Sequence, residues 1–335
     1  MAKKGKIFSG MRPTGKLHIG HLVGALNNWI NMQDEYECVF GIVDWHALTT
    51  GYQDLSELQT NIRELAIDYI CAGIDPEKSI IMIQSQVKEH AELHLLLSMI
   101  TPTPWLIRNP TVKEQARDMG LIDEGEDEMT KIDYGHLGYP VLQSADILVY
   151  LADTVPVGED QVPHIEICRE IARRFNHLYG KVFPEPKEIL TQTPRLLGAD
   201  GRKMSKSYGN AIFIADTPEE IWEKVRKMIT DPEKLRLGDP GRPKVCSVFD
   251  YHKVFNEEEV ESIRENCKSG DLGCVACKKN LASKMAEFLA PYRQKRKELE
   301  NNPDYIDNVL KEGTDAAREQ AADTMKKVRD AMNLM

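Results

Sequence analysis

The sequence predicts an α/β fold, a Rossmann-type doubly wound parallel sheet followed by a smaller all-helical C-terminal domain. Two observations carry this. Over the first two-thirds of the chain, short apolar runs alternate with segments of helical periodicity, which is βαβ order. After about Leu190 the character changes and helical patterns dominate to the C-terminus.

The elements follow in order. Lys6–Gly10, Cys38–Asp44 and Ser79–Ser85, the last with its Ile-Ile-Met-Ile run, read as buried strands. Between them Leu22, Leu26, Trp29 and Ile30 recur at helical spacing, as do Leu55, Leu58, Ile62, Leu65, Tyr69 and Ile70. A further strand is expected over Val155–Gly158, then a helix through Ile165, Cys168, Ile171, Phe175 and Leu178. Thr217-Pro218-Glu219-Glu220 is a capping box with proline at the first helical position. A turn-rich stretch, Gly238–Pro243, precedes a group of cysteines. A final helix is expected from Thr314, with Ala317, Ala321, Met325, Val328 and Met332 on one stripe. The expected division is a catalytic domain over 1–190 and a helical domain over 191–313, with 314–335 packing back on the first. No internal repeat interrupts this order.

The chain has 335 residues, enough for one large domain or two of ordinary size. A hydrophobic content of 41% supports a sizeable core. There is no run of about 18 apolar residues, so no membrane span is expected, and the N-terminal segment lacks the apolar stretch of a signal peptide. A cytoplasmic location is the expectation. The net charge of -10 argues against indiscriminate coating of nucleic acid. Two basic runs, Lys224–Lys227 and Arg293–Lys297, are candidates for a local RNA contact, with solvated helix faces as the plainer account.

Chemistry concentrates in three places. His18 and His21 stand three apart, on one face of a first helical turn, with Gly20 between them allowing a nucleotide close to the backbone. Lys203-Met204-Ser205-Lys206-Ser207 follows the turn-rich Gly198–Arg202 and reads as a cationic loop. Each string alone is weak. Together they suit an ATP attacked at its α-phosphate, where charge grows on the phosphate chain and must be held from two sides. The third place is Cys246-x20-Cys267-x6-Cys274-x2-Cys277, four thiols that suffice for structural Zn²⁺ or an iron–sulfur cluster.

Several motifs in the same order resemble one family. They are Ile7–Gly15 ahead of the histidine element, Val43-Asp44-Trp45-His46-Ala47, Tyr139–Asp146, Val155–Gln161 and Gly313–Val328. With the histidine and lysine elements, these resemble the bacterial tryptophanyl-tRNA synthetases, of class I, over nearly the whole chain. The resemblance implies ATP, Mg²⁺, L-tryptophan and tryptophan tRNA as ligands, and a homodimer. It gives His18, His21, Lys203 and Lys206 the catalytic roles. It places Arg12, Gly20, Gly158, Asp160, Met204, Ser205 and Ser207 at the ATP. It places Phe8, His46, Tyr139, Gln143, Asp146, Val157 and Gln161 around tryptophan, with Asp146 accepting from the indole N–H. Tyrosyl-tRNA synthetases share much of this pattern, but there a tyrosine on the first strand meets the substrate hydroxyl, and Phe8 cannot. A subset of the family carries a [4Fe–4S] cluster through a similar cysteine arrangement, so the resemblance favours iron–sulfur over zinc at Cys246, Cys267, Cys274 and Cys277. Lys278 and Lys279, just after the last thiol, are candidates to face tRNA. Two remoter readings are a small nucleotidyltransferase and a metal-binding RNA adaptor without activity.

Overall fold

The computed structural model of the chain describes residues 3–118, 120–122, 131–190, 196–204 and 208–335. Among them, five strands make one parallel sheet: β1 (Lys6–Met11), β2 (Glu37–Ile42), β3 (Ser79–Ile83), β4 (Thr154–Val157) and β5 (Lys187–Leu190). Their order is β3-β2-β1-β4-β5, with every neighbouring pair parallel. The order reverses between β1 and β4. In such a sheet the loops leaving the strands at that switch form a ready-made ligand crevice. The apolar runs dictate β1 to β4, because a sheet covered on both faces needs strands that are hydrophobic throughout. Strand β2 ends at Ile42, earlier than its apolar run suggests, and a helix already begins at Asp44 (Asp44–Gly51). Strand β5 was not expected at all. It is an edge strand with no residue fully buried, so its sequence carries no apolar alternation.

The chain divides into two compact units. The first comprises Met1–Gly15, Asn27–Gln192 and Asn302–Met335. It holds the sheet, and its core gathers Phe8 and Val39 from the strands with Leu93 and Leu97 of helix Glu89–Ile100, and with Ile165, Ile171 and Phe175 of helix Val162–Tyr179. The stripe Ala317, Ala321, Met325 and Val328 is fully buried in the same core.

The last helix differs from the sequence expectation at its start. It runs Pro303–Ala331, opening with proline in its first turn, and passes through Gly313 rather than beginning after it. Glycine here is a contact, not a stop. A Cβ at Gly313 would stand 2.1 Å from the Ile81 carbonyl oxygen of β3. The next residue, Thr314, accepts the Ile83 backbone N–H on its hydroxyl at 3.2 Å. Absence of a side chain lets the helix lie against the strand's backbone, and the threonine satisfies a strand donor there.

The second unit comprises Lys16–Leu26 and Thr193–Asn301. The sequence reading assigned Lys16–Leu26 to the N-terminal domain. The tie that groups it here is long-range and has no sequence signature. Ile19 N–H donates to the Ile212 carbonyl at 2.9 Å, and Ile214 N–H to the Leu17 carbonyl at 3.0 Å, which pairs His18 with Phe213 as an antiparallel bridge. Helices Pro218–Val225, Ser247–Phe255, Val260–Ser269, Cys274–Phe288 and Ala290–Glu300 form the rest. The capping box is present as read: Thr217 Oγ1 accepts from Glu220 N–H, and Glu220 Oε2 from Thr217 N–H. The basic runs are largely spent within the unit. Lys224 pairs with Asp216 at 2.5 Å, Arg226 with Glu223 at 2.6 Å, and the buried Arg296 with Glu300 at 2.8 Å. Lys278 does not face outward either; its ammonium donates to the Arg226 and Met228 carbonyls at 2.9 and 2.6 Å, closing the end of helix Pro218–Val225. No helix among the described residues is long and apolar enough to cross a membrane.

Gly313→Ala should destabilise the protein by about 1–3 kcal/mol, the cost of forcing a methyl group into a filled contact. Gly51→Ala, where a Cβ meets nothing within 4 Å, should cost nothing comparable. Urea denaturation of the two variants checks this; equal stability would mean the helix does not depend on this contact.

Candidate active site

In the first unit, the chain segments that leave the carboxyl ends of the strands carry most of the expected residues. Arg12 follows β1 directly and donates to Thr50 Oγ1 at 3.3 Å. His46 lies on the helix after β2, and Gly158 follows β4. Helix Tyr134–Leu148 brings Tyr139, Gln143 and Asp146 onto one face, since they are spaced four and three apart.

Asp146 is the electrostatic centre of this unit's site. It is 1% exposed, and three side chains donate to it. His90 Nδ1 meets Oδ1 at 2.6 Å, His46 Nε2 meets Oδ2 at 2.9 Å, and the Gln84 amide reaches both oxygens at 2.7 and 2.9 Å. Burial alone would raise its pKa. The two histidines outweigh burial and hold the carboxyl down to about 2, so it is ionised. The opposite nitrogen of His90 faces the Tyr150 hydroxyl at 2.8 Å, and the Tyr150 ring stacks on Phe8 with centroids 5.5 Å apart. Phe8 thus sits in the core beside this network.

A second buried relay holds Tyr139. Asn109 accepts Thr111 N–H on Oδ1 at 3.0 Å, which fixes its amide and turns Nδ2 toward His164 Nδ1, also 3.0 Å away. His164 Nδ1 therefore accepts, and the ring carries its proton on Nε2, against the Tyr139 oxygen. Burial lowers His164 to about 4, so the ring is neutral at ordinary pH. Thr111 also donates its hydroxyl to the Asp160 carbonyl at 2.9 Å. The turn Glu159–Gln161 is thereby linked to Tyr139. Within the turn, Gln161 donates to Asp160 Oδ2 at 2.9 Å, and the open Gly158 position lets Asp160 Oδ1 come within 2.6 Å of where a Cβ would stand. Val157 ends β4, buried.

In the second unit, His18 precedes the turn Ile19–His21, and the two imidazoles lie with centroids 3.7 Å apart. His21 Nδ1 accepts the His18 backbone N–H at 3.2 Å, so the neutral ring carries its proton on Nε2. A side chain at Gly20 would meet His18 Nδ1 at 3.0 Å and Met204 Sδ at 3.8 Å. The stretch before the lysine element is held by its backbone. Leu197 and Lys203 form a bridge, and the buried Asn210 amide donates to the Lys203 carbonyl at 3.1 Å and to Asp200 Oδ1 at 2.7 Å. Asp200 is held down to about 2, chiefly by that amide and further by Arg202. The Lys203 side chain remains exposed while Met204 is buried. Ser205, Lys206 and Ser207 lie outside the described residues.

The profile of the tRNA synthetases class I (W and Y) matches residues 2–290. A tryptophan–tRNA ligase of Thermotoga maritima is 53% identical over 98% of this chain and 99% of its own length. One from Aquifex aeolicus is 49% identical over 98% and 100%. The chain belongs to the tryptophan–tRNA ligases. Among solved structures, the tryptophanyl-tRNA synthetase of Campylobacter jejuni complexed with ADP and tryptophan is similar, with a TM-score of 0.86 and 31% identity over 98% of this chain and all of that one.

For a tryptophan–tRNA ligase, the sequence reading missed the residues that support those it named. Gln84, His90, Asn109, Tyr150 and His164 are all buried, and each alone reads as an ordinary polar or aromatic position. The faint signal is the density of polar residues, Gln84 and His90 among them, immediately after an apolar strand.

The cysteines also converge in space. Cys246 precedes helix Ser247–Phe255, Cys267 lies on helix Val260–Ser269, and Cys274 and Cys277 open the next helix. Burial pushes Cys277 up to about 12, and the thiols of Cys246, Cys267 and Cys274 add to the shift, which places the four sulfurs within each other's electrostatic reach. The Gly241 position leaves no room for a Cβ, which would come within 2.5 Å of Cys267 Sγ. Among the described residues, no group of three or more His, Cys, Asp or Glu side chains is set to hold a single metal ion.

The neutral His164 makes a pH prediction. Its ordinary value is 6.5 and its folded value about 4, so the unfolded chain takes up a proton first as pH falls. The associated stability, up to about 3 kcal/mol, is present above pH ~6.5 and is lost progressively down to pH ~4. Urea titrations across that range should show a shallower loss for His164→Gln than for the wild type; parallel curves would remove His164 as the source.

Proposed function

We propose that the chain activates L-tryptophan with ATP, in the presence of Mg²⁺, and then esterifies the 3′ end of tryptophan tRNA. The tryptophan carboxylate attacks the α-phosphorus in line, the bond to the bridging oxygen breaks, and pyrophosphate leaves with the electron pair. The carboxylate is already ionised, so no general base is required. The tRNA's terminal ribose hydroxyl then attacks the activated carbonyl and AMP leaves. Catalysis is positioning and charge stabilisation. His18 and His21, with Lys203 and Lys206, hold the growing phosphate charge. Arg12, Gly20, Gly158, Met204, Ser205 and Ser207 surround the nucleotide, and Asp160 accepts from the ribose. Tyr139, Gln143 and Gln161 hold the amino and carboxylate groups of tryptophan. Phe8, His46 and Val157 surround its ring, and Asp146 takes the indole N–H.

One observation carries the activation chemistry. The adjacent histidines and Lys203 belong to one compact unit, tied by the bridge between Leu17–Ile19 and Ile212–Ile214. The histidine and lysine elements, far apart in sequence, are thereby set on one body. Phe8 supports tryptophan over tyrosine, since a phenyl ring offers no hydrogen bond to a phenol.

We further propose one [4Fe–4S] cluster on Cys246, Cys267, Cys274 and Cys277, with zinc as the alternative. What supports it is the convergence of four half-buried thiols whose mutual repulsion as thiolates a bound cation would offset. A cluster there would organise the helices of the second unit. A cytoplasmic homodimer completes the reading.

Lys203→Ala and His21→Ala should each slow adenylate formation by about 10²–10³-fold, as is typical for donors to transition-state charge, with tryptophan binding nearly unchanged. Stopped-flow activation checks this; wild-type rates in both variants would refute the catalytic assignment. Anaerobically purified protein should carry about four irons per chain. Cys274→Ser should lose the iron and weaken tRNA charging while ATP–pyrophosphate exchange continues. Stoichiometric zinc without iron would overturn the cluster.

A further inference from the structure

We propose that His90 is a positioning residue that keeps the Asp146 carboxylate aimed at the indole N–H, with the Tyr150 hydroxyl locking its ring. The inference rests on the reading of Asp146 as the indole acceptor. An ionised carboxylate offers about four lone-pair sites. In Asp146 they are taken by His90, by both reaches of the Gln84 amide and by His46. An arriving indole N–H must therefore displace a donor, and the acceptor stays aimed only if the remaining donors are fixed.

Two of the three are fixed. Gln84 is fully buried, and its Oε1 accepts the Trp45 backbone N–H at 3.0 Å, so its amide cannot turn. His90 is also fully buried and held at both nitrogens. Because an ionised carboxylate only accepts, His90 presents Nδ1–H to it. Its Nε2 meets the Tyr150 hydroxyl at 2.8 Å, so the ring is held at both edges. Tyr150 is pinned in turn by its stacking on Phe8, with ring planes 10° apart. His46 is the donor with room to yield: its side chain is 10% exposed and stands on the short helix Asp44–Gly51. His90 and Tyr150 are buried and need touch no substrate to set its selectivity.

The test compares tryptophan with its benzothiophene analogue, whose ring carries sulfur in place of the N–H. Exchange kcat/KM is measured for both, with calorimetric Kd for any variant too slow to exchange. The wild type should prefer tryptophan by about tenfold or more. His90→Asn, whose amide nitrogen falls near the Nδ1 position, should retain most of that preference. His90→Gln, whose amide reaches the Nε2 position instead, should lose it, with KM for tryptophan raised and KM for ATP unchanged. Tyr150→Phe keeps the stacking and should lose the preference several-fold, which keeps the test decisive if the His90 variants fail to fold. If Asp146→Ala retains the wild-type preference, the acceptor reading itself is wrong. If Asp146→Ala abolishes it while His90→Gln or Tyr150→Phe keeps it, the role of His90 is overturned.

Discussion

The buried carboxylate of Asp146 organises the candidate site of the sheet-bearing unit. Enclosing a carboxylate costs several kcal/mol unless donors surround it. Asp146 draws those donors from three places: the helix after β2, the turn after β3 and helix Glu89–Ile100. Each comes from, or just beyond, the carboxyl end of a strand. The charge therefore fixes where those segments sit relative to helix Tyr134–Leu148, and the sheet's switch point becomes a shaped site instead of an open crevice. The relay from Thr111 through Asn109 and His164 extends the same order to Tyr139 and to the Glu159–Gln161 turn.

The second unit solves a different problem. On the reading proposed above, its lysine element meets phosphate charge. The structure fixes backbone and leaves cationic side chains at the surface. Asn210 holds the Lys203 carbonyl, Met204 is buried, and the Lys203 side chain is exposed. Elsewhere in the unit basic side chains do structural work, as Lys278 and Arg296 show. The overall negative charge is consistent with this economy.

Much of the fold was legible because it rests on local pattern. Strands β1 to β4 appear as apolar runs, the Thr217 box announces its helix, and the stripe from Ala317 to Val328 lies in the core as its period required. The failures share a cause. Strand β5 is a four-residue edge with no buried residue, and the bridge between Leu17–Ile19 and Ile212–Ile214 joins segments with no mutual signature. The start of the last helix was set at Thr314 and not at Pro303, because a glycine inside a helix that admits a neighbouring backbone looks in sequence like a break. At the site, the residues expected to touch ligand stand out as motifs. The residues behind them, Gln84, His90, Tyr150 and His164, do not, because their meaning lies in a partner tens of residues away.

The Gly313 contact gives the terminal helix a register. A rod of 29 residues lying along a strand could in principle slide or roll by a turn. Here only one residue lacks a side chain where the strand's carbonyl stands, and only the next offers a hydroxyl to its free N–H. The pair works as a key in a slot. The helix seats at one height and one rotation, and the rest of its stripe, down to Val328, falls into place as a consequence. Position 313 therefore acts as a diagnostic letter. A relative with any larger residue there must carry its last helix farther from the sheet or turned about its axis, so one residue reports the seating of the whole C-terminal element.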